Sequence, residues 1–122
     1  MKQSRVTIRY AKAFLLQAIE QNLLEEAFSD MCLLNKVCSE SKEFSLLLKS
    51  PIVKTDQKLK ILNEIFTSKL TKTSMMFVNI ITTKKRENLL SSIAISFINL
   101  YKTYKKINIF IIRIIFFIFT AS

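Results

Sequence analysis

From residue 5 to about residue 104, apolar side chains recur every three or four positions, the period of an amphipathic helix. In the first segment Ala11, Phe14, Leu15 and Ala18 fall within about 100° of one another around a helix and predict a core stripe. Leu24, Ala27, Phe28, Met31, Leu34 and Cys38 form the second stripe, and Glu25 and Glu26 suit the positive end of that helix. Ser41 is the expected N-cap of a short third helix carrying Phe44, Leu47 and Leu48, which Ser50-Pro51 interrupts. A fourth helix is expected to start at the capping pair Thr55-Asp56 and to bury Leu59, Leu62, Ile65 and Phe66. The fifth, over 73–83, is short and unusually apolar, and Lys84-Lys85-Arg86 ends it. The sixth places Leu90, Ile93, Ala94, Phe97, Tyr101 and Tyr104 on one side, with Lys102, Lys105 and Lys106 closing its C-terminal end. Short connections between six such segments predict an all-α, six-helix bundle over residues 1–106.

Residues 107–122, INIFIIRIIFFIFTAS, have a different texture: β-branched and aromatic, aperiodic, with Arg113 as the one charge. As a helix, 107–119 would reach about 20 Å, short of the ~30 Å hydrocarbon core, so a membrane span is not expected. The composition of this apolar tail favours a buried or edge strand.

Composition narrows the chemistry. With no Gly, no His and one Pro in 122 residues, a glycine-rich phosphate loop, a nucleophile elbow and histidine acid–base catalysis are all excluded. Such a chain is expected to bind rather than catalyse. The net charge of +10 sits in one half: residues 1–53 carry seven basic and six acidic groups, residues 54–122 twelve and three. Nucleic acid, an acidic partner, a membrane surface or AT-rich codon usage would each produce that imbalance. Cys32 and Cys38, six apart, point about 240° from each other on a helix, so neither a disulfide nor a shared metal is expected, and both read as buried thiols of a reducing compartment. The opening MKQSRVTIRY has no apolar core, so no secretory signal is expected there.

Two helices carry more apolar surface than one core needs. On the first, Tyr10 and Ala13, with Gln17 beside them, form a second and shallower stripe; on the fifth, Met76 and Ile80 lie one turn apart. They are either central helices buried on every side or the two walls of a groove for an amphipathic helix.

Arg9-Tyr10-Ala11-Lys12-Ala13-Phe14 resembles the opening signature of the delta subunit of the F-type ATP synthase, whose mitochondrial relative is the oligomycin-sensitivity-conferring protein. The resemblance continues, in the same order and spacing, through Leu23-Leu24-Glu25-Glu26, Ser50-Pro51-Ile52-Val53 and Lys58-Leu59-Lys60-Ile61-Leu62-Asn63-Glu64-Ile65-Phe66. It ends with Phe77-Val78-Asn79-Ile80-Ile81 and Lys85-Arg86-Glu87-Asn88-Leu89-Leu90, having covered residues 5–106. What the resemblance implies is a non-enzymatic stator subunit at the top of the catalytic headpiece, on the cytoplasmic face of a bacterial inner membrane, without cofactor or metal. A groove between its first and fifth helices would receive N-terminal helices of the alpha subunit, with Tyr10, Ala13 and Gln17 on one wall and Met76, Ile80 and Thr83 on the other.

The chain departs from that family in two places. Lys84-Lys85 stands in the turn before the sixth helix where the family has glycine, which implies a different turn geometry. Residues 107–122 stand where a C-terminal domain binding the peripheral-stalk b subunit should begin, and lack its acidic and small residues. A frameshift or truncation would account for them, and the stalk contact would then be lost.

The alternative is a small basic helical protein bound to nucleic acid or to an anionic membrane. Lys84-Lys85-Arg86 would be its phosphate contact and Tyr101 and Tyr104, among Lys102, Lys105 and Lys106, its stacking surface. The plainer readings are a solvated loop and the edge of a core.

Overall fold

Every predicted helical segment forms. The computed structural model describes residues 4–121 and gives α1 (Arg5–Glu20), α2 (Leu24–Glu40), α3 (Lys42–Lys49), α4 (Thr55–Phe66), α5 (Lys72–Thr83) and α6 (Leu90–Ala121), with one 3₁₀ turn, Glu87–Leu89, before α6. The reading that no secretory signal opens the chain falls partly on residues 1–3, outside the described residues, as does Ser122 of the tail.

Side chains set three of the helix starts. The Ser4 hydroxyl accepts from the Thr7 N–H, Ser41 from Phe44 and Thr71 from Ser74, satisfying donors that have no partner inside their helices. Ser41 also closes α2, through its own N–H to the Val37 carbonyl. At α4 the cap position falls on Lys54, which makes no side-chain cap bond, and Thr55 and Asp56 lie inside the first turn rather than capping it.

Two helices end in a left-handed residue with no glycine to supply it. Asn22 has φ 59° and Lys85 φ 61°. After α5, the Lys85 N–H bonds the Thr82 carbonyl and the Arg86 N–H bonds that of Ile81, the paired closure of a Schellman motif. The turn therefore takes the conformation a glycine would adopt, contrary to the different geometry expected from its absence. A lysine at this φ carries a Cβ–carbonyl clash that glycine lacks.

α6 packs chiefly across α1 and α2, and α5 lies against α4. Phe14, Met31, Leu34, Leu62, Phe66, Val78, Ile81, Leu90, Ile93 and Phe97 are fully buried between these layers. Phe97 is tilted against Phe14 at 5.3 Å, and Phe44 meets Phe66 edge-on at 5.8 Å. Polar side chains also work inside this core. Asp30 on α2 accepts from the Thr71 N–H (3.0 Å) and hydroxyl (2.8 Å), fixing the start of α5. Lys58 on α4 donates to the Leu48 carbonyl (3.2 Å) and to Glu87 (3.0 Å). Periodicity placed Leu59 inward, but it is Lys58 that is buried and Leu59 only half so. Of the two cysteines only Cys38 is buried, and burial pushes its thiol up to about 11; Cys32 is half-exposed, and both are free thiols.

The tail is not a strand. α6 runs without a break from Leu90 to Ala121, so Lys102, Lys105 and Lys106 sit within the helix instead of closing it. A strand needs a neighbour to take its backbone hydrogen bonds, whereas a helix satisfies them itself, and that decides the outcome for an isoleucine-rich segment that finds no sheet among the described residues. Tyr101 belongs to the edge of the core: it stacks on Phe28 at 3.9 Å and its hydroxyl donates to Glu25, 2.6–2.8 Å away.

Candidate functional site: a face shared by α1 and α5

α1 and α5 run antiparallel and are tied at three levels. Near the end of α1, the Gln21 side-chain carbonyl accepts from the Thr73 hydroxyl at 3.1 Å. In the middle, Phe14 and Phe77 stack with centroids 4.2 Å apart and planes 8° from parallel. At the other end Arg86 donates to the Tyr10 hydroxyl at 2.8 Å, its guanidinium 5.5 Å from the centre of that ring.

The Phe14–Phe77 contact fixes the orientation of everything else on the two helices. At about 100° per residue, Tyr10, Gln17 and Ala13 lie about 40°, 60° and 100° to one rotational side of Phe14. Ile80, Met76 and Thr83 lie about 60°, 100° and 120° to the same rotational side of Phe77. For parallel helices these stripes would point to opposite faces. Because α1 and α5 are antiparallel, they turn to one face, side by side above the stacked rings.

All six residues are at the surface. Met76 is 56% exposed and Ile80 48%, Ala13, Gln17 and Thr83 are exposed, and Tyr10 is half-buried, packed against the core. Central helices buried on every side are thereby ruled out. The Thr83 hydroxyl is already used, donating to the Asn79 carbonyl at 2.8 Å, so its methyl group is what it offers outward. Asn79 in turn exchanges hydrogen bonds with Asn63 (3.0 and 3.3 Å), holding α5 to α4 on its far side.

Two residues escape a reading of the sequence. Arg86 looked like one cation in a solvated basic run, yet it bridges to α1; a contact 76 positions away leaves no local signal. Leu16 is 66% exposed beside Gln17, and its apolar character could have marked it, but its position opposite Phe14 belongs to neither stripe.

The arrangement is suited to holding a helix. A small residue at Ala13 lets a partner backbone approach closely, Met76 is an adaptable apolar contact, and Tyr10, Gln17 and Arg86 supply polar ends. Among the described residues no three His, Cys, Asp or Glu side chains are grouped to hold a metal ion.

Comparison with known proteins gives one family throughout. The family model described as ATP synthase delta (OSCP) subunit matches residues 6–115. ATP synthase subunit delta of Chlorobaculum tepidum is 39% identical over 97 residues, covering 80% of this chain and 54% of its own. The same subunit of Amoebophilus asiaticus is 33% identical over 103 residues, covering 84% and 56%. A chain in the mitochondrial ATP synthase hexamer of Toxoplasma gondii superposes with a TM-score of 0.72 at 27% identity, over 77% of this chain and 53% of that one. The chain thus spans about half the length of the curated relatives it matches. Sequence, helix order and three-dimensional likeness agree, and this six-helix chain belongs to the ATP synthase delta (OSCP) subunit family.

Proposed function

We propose that the protein is a non-catalytic stator subunit of the F-type ATP synthase, supporting proton-driven ATP synthesis by holding the catalytic headpiece. In this reading the face between α1 and α5 takes the amphipathic N-terminal helices of the alpha subunit, with Tyr10, Ala13 and Gln17 on one wall and Met76, Ile80 and Thr83 on the other. One observation carries it. Two solvent-facing stripes, each with apolar residues one turn apart, share a face because a buried aromatic stack holds their helices antiparallel. The role is mechanical: a stator resists torque while the rotor turns, which calls for tight packing and slow dissociation and for no covalent step. The bundle of residues 1–106 is the gripping unit. In this reading residues 107–122 stand where the family's domain for the peripheral-stalk b subunit would begin, and the membrane is met at its cytoplasmic face through the complex.

The test is Ala13→Asp, titrated calorimetrically with a peptide of the alpha-subunit N-terminus. A carboxylate at this exposed position on the α1 wall should weaken binding at least tenfold, while the helical circular dichroism and thermal unfolding match the parent protein. Unchanged affinity sinks the groove assignment.

A further inference from the structure

A cleft of about 470 Å³ opens between the α3–α4 loop, the start of α4 and the turn that precedes α6. Its rim is cationic. Lys49, Lys54 and Lys85 line it, all three exposed and none paired with a carboxylate among the described residues. The chain has no glycine-rich loop, yet α4 begins here, and its N-cap Lys54 makes no side-chain bond. The first N–H groups of α4 are therefore open to an anion. Asp56 stands in that first turn but does not line the cleft, where Glu87 is the one acid.

The floor separates this cleft from an ordinary basic patch. Lys58 and Glu87 lie there, their side chains nine-tenths or more buried. An ammonium has three N–H donors, and Lys58 uses two, on the Leu48 carbonyl and on Glu87 Oε1. Its third has no acceptor among the described residues. Glu87 Oε2 is buried without a hydrogen-bond partner. An unpaired carboxylate oxygen is costly in such a place, and what it lacks is a donor. A metal ion or an ammonium would supply attraction to Glu87 but would meet the four lysines of the same cleft. The group that suits every wall is anionic overall and still carries a proton to donate.

We propose that this cleft binds inorganic hydrogen phosphate. The P–OH group donates to Glu87 Oε2, and the other oxygens accept from Lys58, from the first N–H groups of α4 and from the lysines of the rim. The terminal torsion of a glutamate is broad, and a turn about it brings Oε2 to the surface of the cleft that Glu87 lines. The Thr55 hydroxyl and the Asn88 amide line the same space as further donors. Glu87 sets the selectivity. Sulfate has the same shape but no proton at neutral pH, so its oxygen would face Oε2 with no hydrogen between them. Phosphodiesters lack that proton as well, which distinguishes this site from one for a nucleic-acid backbone. The cleft is built from α3, α4 and the turn before α6 and shares no residue with the six groove walls of α1 and α5, so either assignment can fail without the other.

The experiment titrates the full chain at pH 7 and constant ionic strength with sodium phosphate, sodium sulfate and sodium dimethyl phosphate, by calorimetry and by thermal unfolding. Phosphate should bind at least tenfold more tightly than either of the others, the effect of one hydrogen bond to a charged group. At ten times its dissociation constant it should raise the melting temperature by about 5 °C. Glu87→Gln puts an N–H donor in place of the bare oxygen, so sulfate should then bind as tightly as phosphate. A purely structural Glu87 would leave the preference as it was. Lys49→Gln and Lys54→Gln, both at the surface, should each weaken phosphate binding about two- to fivefold with thermal unfolding of the free protein unchanged. The proposal is overturned if phosphate does not bind, if sulfate or dimethyl phosphate binds the parent protein as well as phosphate does, or if Glu87→Gln keeps the preference. The comparison of the three anions on the parent protein decides the matter even if Glu87→Gln fails to fold.

Discussion

Replacing Lys58 by Met tests how the bundle tolerates charge in its interior. The side chains of Lys58 and Glu87 are 5% and 10% exposed and meet at 3.0 Å. The same ammonium holds the carbonyl of Leu48, in the last turn of α3, where helix carbonyls lack partners of their own. Glu87 Oε2 has no partner even in the intact protein. Lys58→Met keeps the apolar stem and removes the charge, leaving a buried carboxylate with neither oxygen paired and one carbonyl orphaned. Breaking a buried pair in this way costs about 3–5 kcal/mol. A domain of this size has about 6–18 kcal/mol of stability, so the variant should still fold. At about 4 °C per kcal/mol, its melting temperature should fall by about 12–20 °C. The double variant Lys58→Met/Glu87→Leu removes both charges and leaves only the Leu48 carbonyl unpaired, for a cost of about 1–3 kcal/mol. It should therefore be more stable than the single variant. Urea unfolding followed by far-UV circular dichroism measures both. A single-variant cost below about 1 kcal/mol, or a double variant no better than the single, refutes the account of Lys58 as the counter-charge that makes Glu87 tolerable.

The left-handed turn after α5 gives an opposite sign. Lys85→Gly should stabilise the protein by about 0.5–1 kcal/mol in the same urea assay, because relief of the Cβ clash outweighs the added freedom of the unfolded chain; destabilisation would contradict the positive φ. The Tyr101–Glu25 contact predicts a pH signature at both ends of the scale. The hydrogen bond from Tyr101, opposed in part by burial and then aided by Lys105, holds the Glu25 carboxyl below its usual 4.5. Its stabilisation is therefore present above 4.5 and lost as pH falls below. The same hydrogen bond pushes Tyr101 up to about 12 from its usual 10, so that contribution is present below pH 10 and lost between 10 and 12. Tyr101→Phe should flatten both limbs of the stability profile measured by thermal unfolding, and a profile unchanged by it would count against the contact.

Local pattern carried most of the fold because these helices are amphipathic and short-range. The stripe from Leu24 to Cys38 and the cap at Ser41 each depend on residues within a few positions, and each forms as expected. Two of the failures share a cause. Lys58 is inside because Glu87, 29 residues later, comes to meet it, and Arg86 is ordered by Tyr10, 76 residues earlier. Neither partner is visible in a window of one helix. The tail failed differently: isoleucine and phenylalanine favour strands only where a neighbouring strand exists, and this composition reports the preference without the neighbour. The six groove candidates were all placed at the surface, but their common face follows from the antiparallel order of α1 and α5, which periodicity alone does not give.

The turn and the groove are one construction. α5 must stop at Thr83 for the chain to double back into α6, and the Schellman closure at Lys85 stops it there. The next residue is Arg86, whose N–H completes that closure by bonding Ile81 while its guanidinium reaches Tyr10 on α1. Main chain and side chain of a single arginine thus fix the end of one wall and tie it to the other. Gln21 and Thr73 repeat the tie at the opposite end, next to the left-handed Asn22 that closes α1. The spacing between the walls is set by these two ties and by the Phe14–Phe77 stack, in which Tyr10 alone of the six wall residues takes part. Ala13, Gln17, Met76 and Ile80 consequently carry little of the fold's stability. Under the proposed function they are free to be matched to a partner helix, and a substitution at Ala13 is then expected to separate grip from folding.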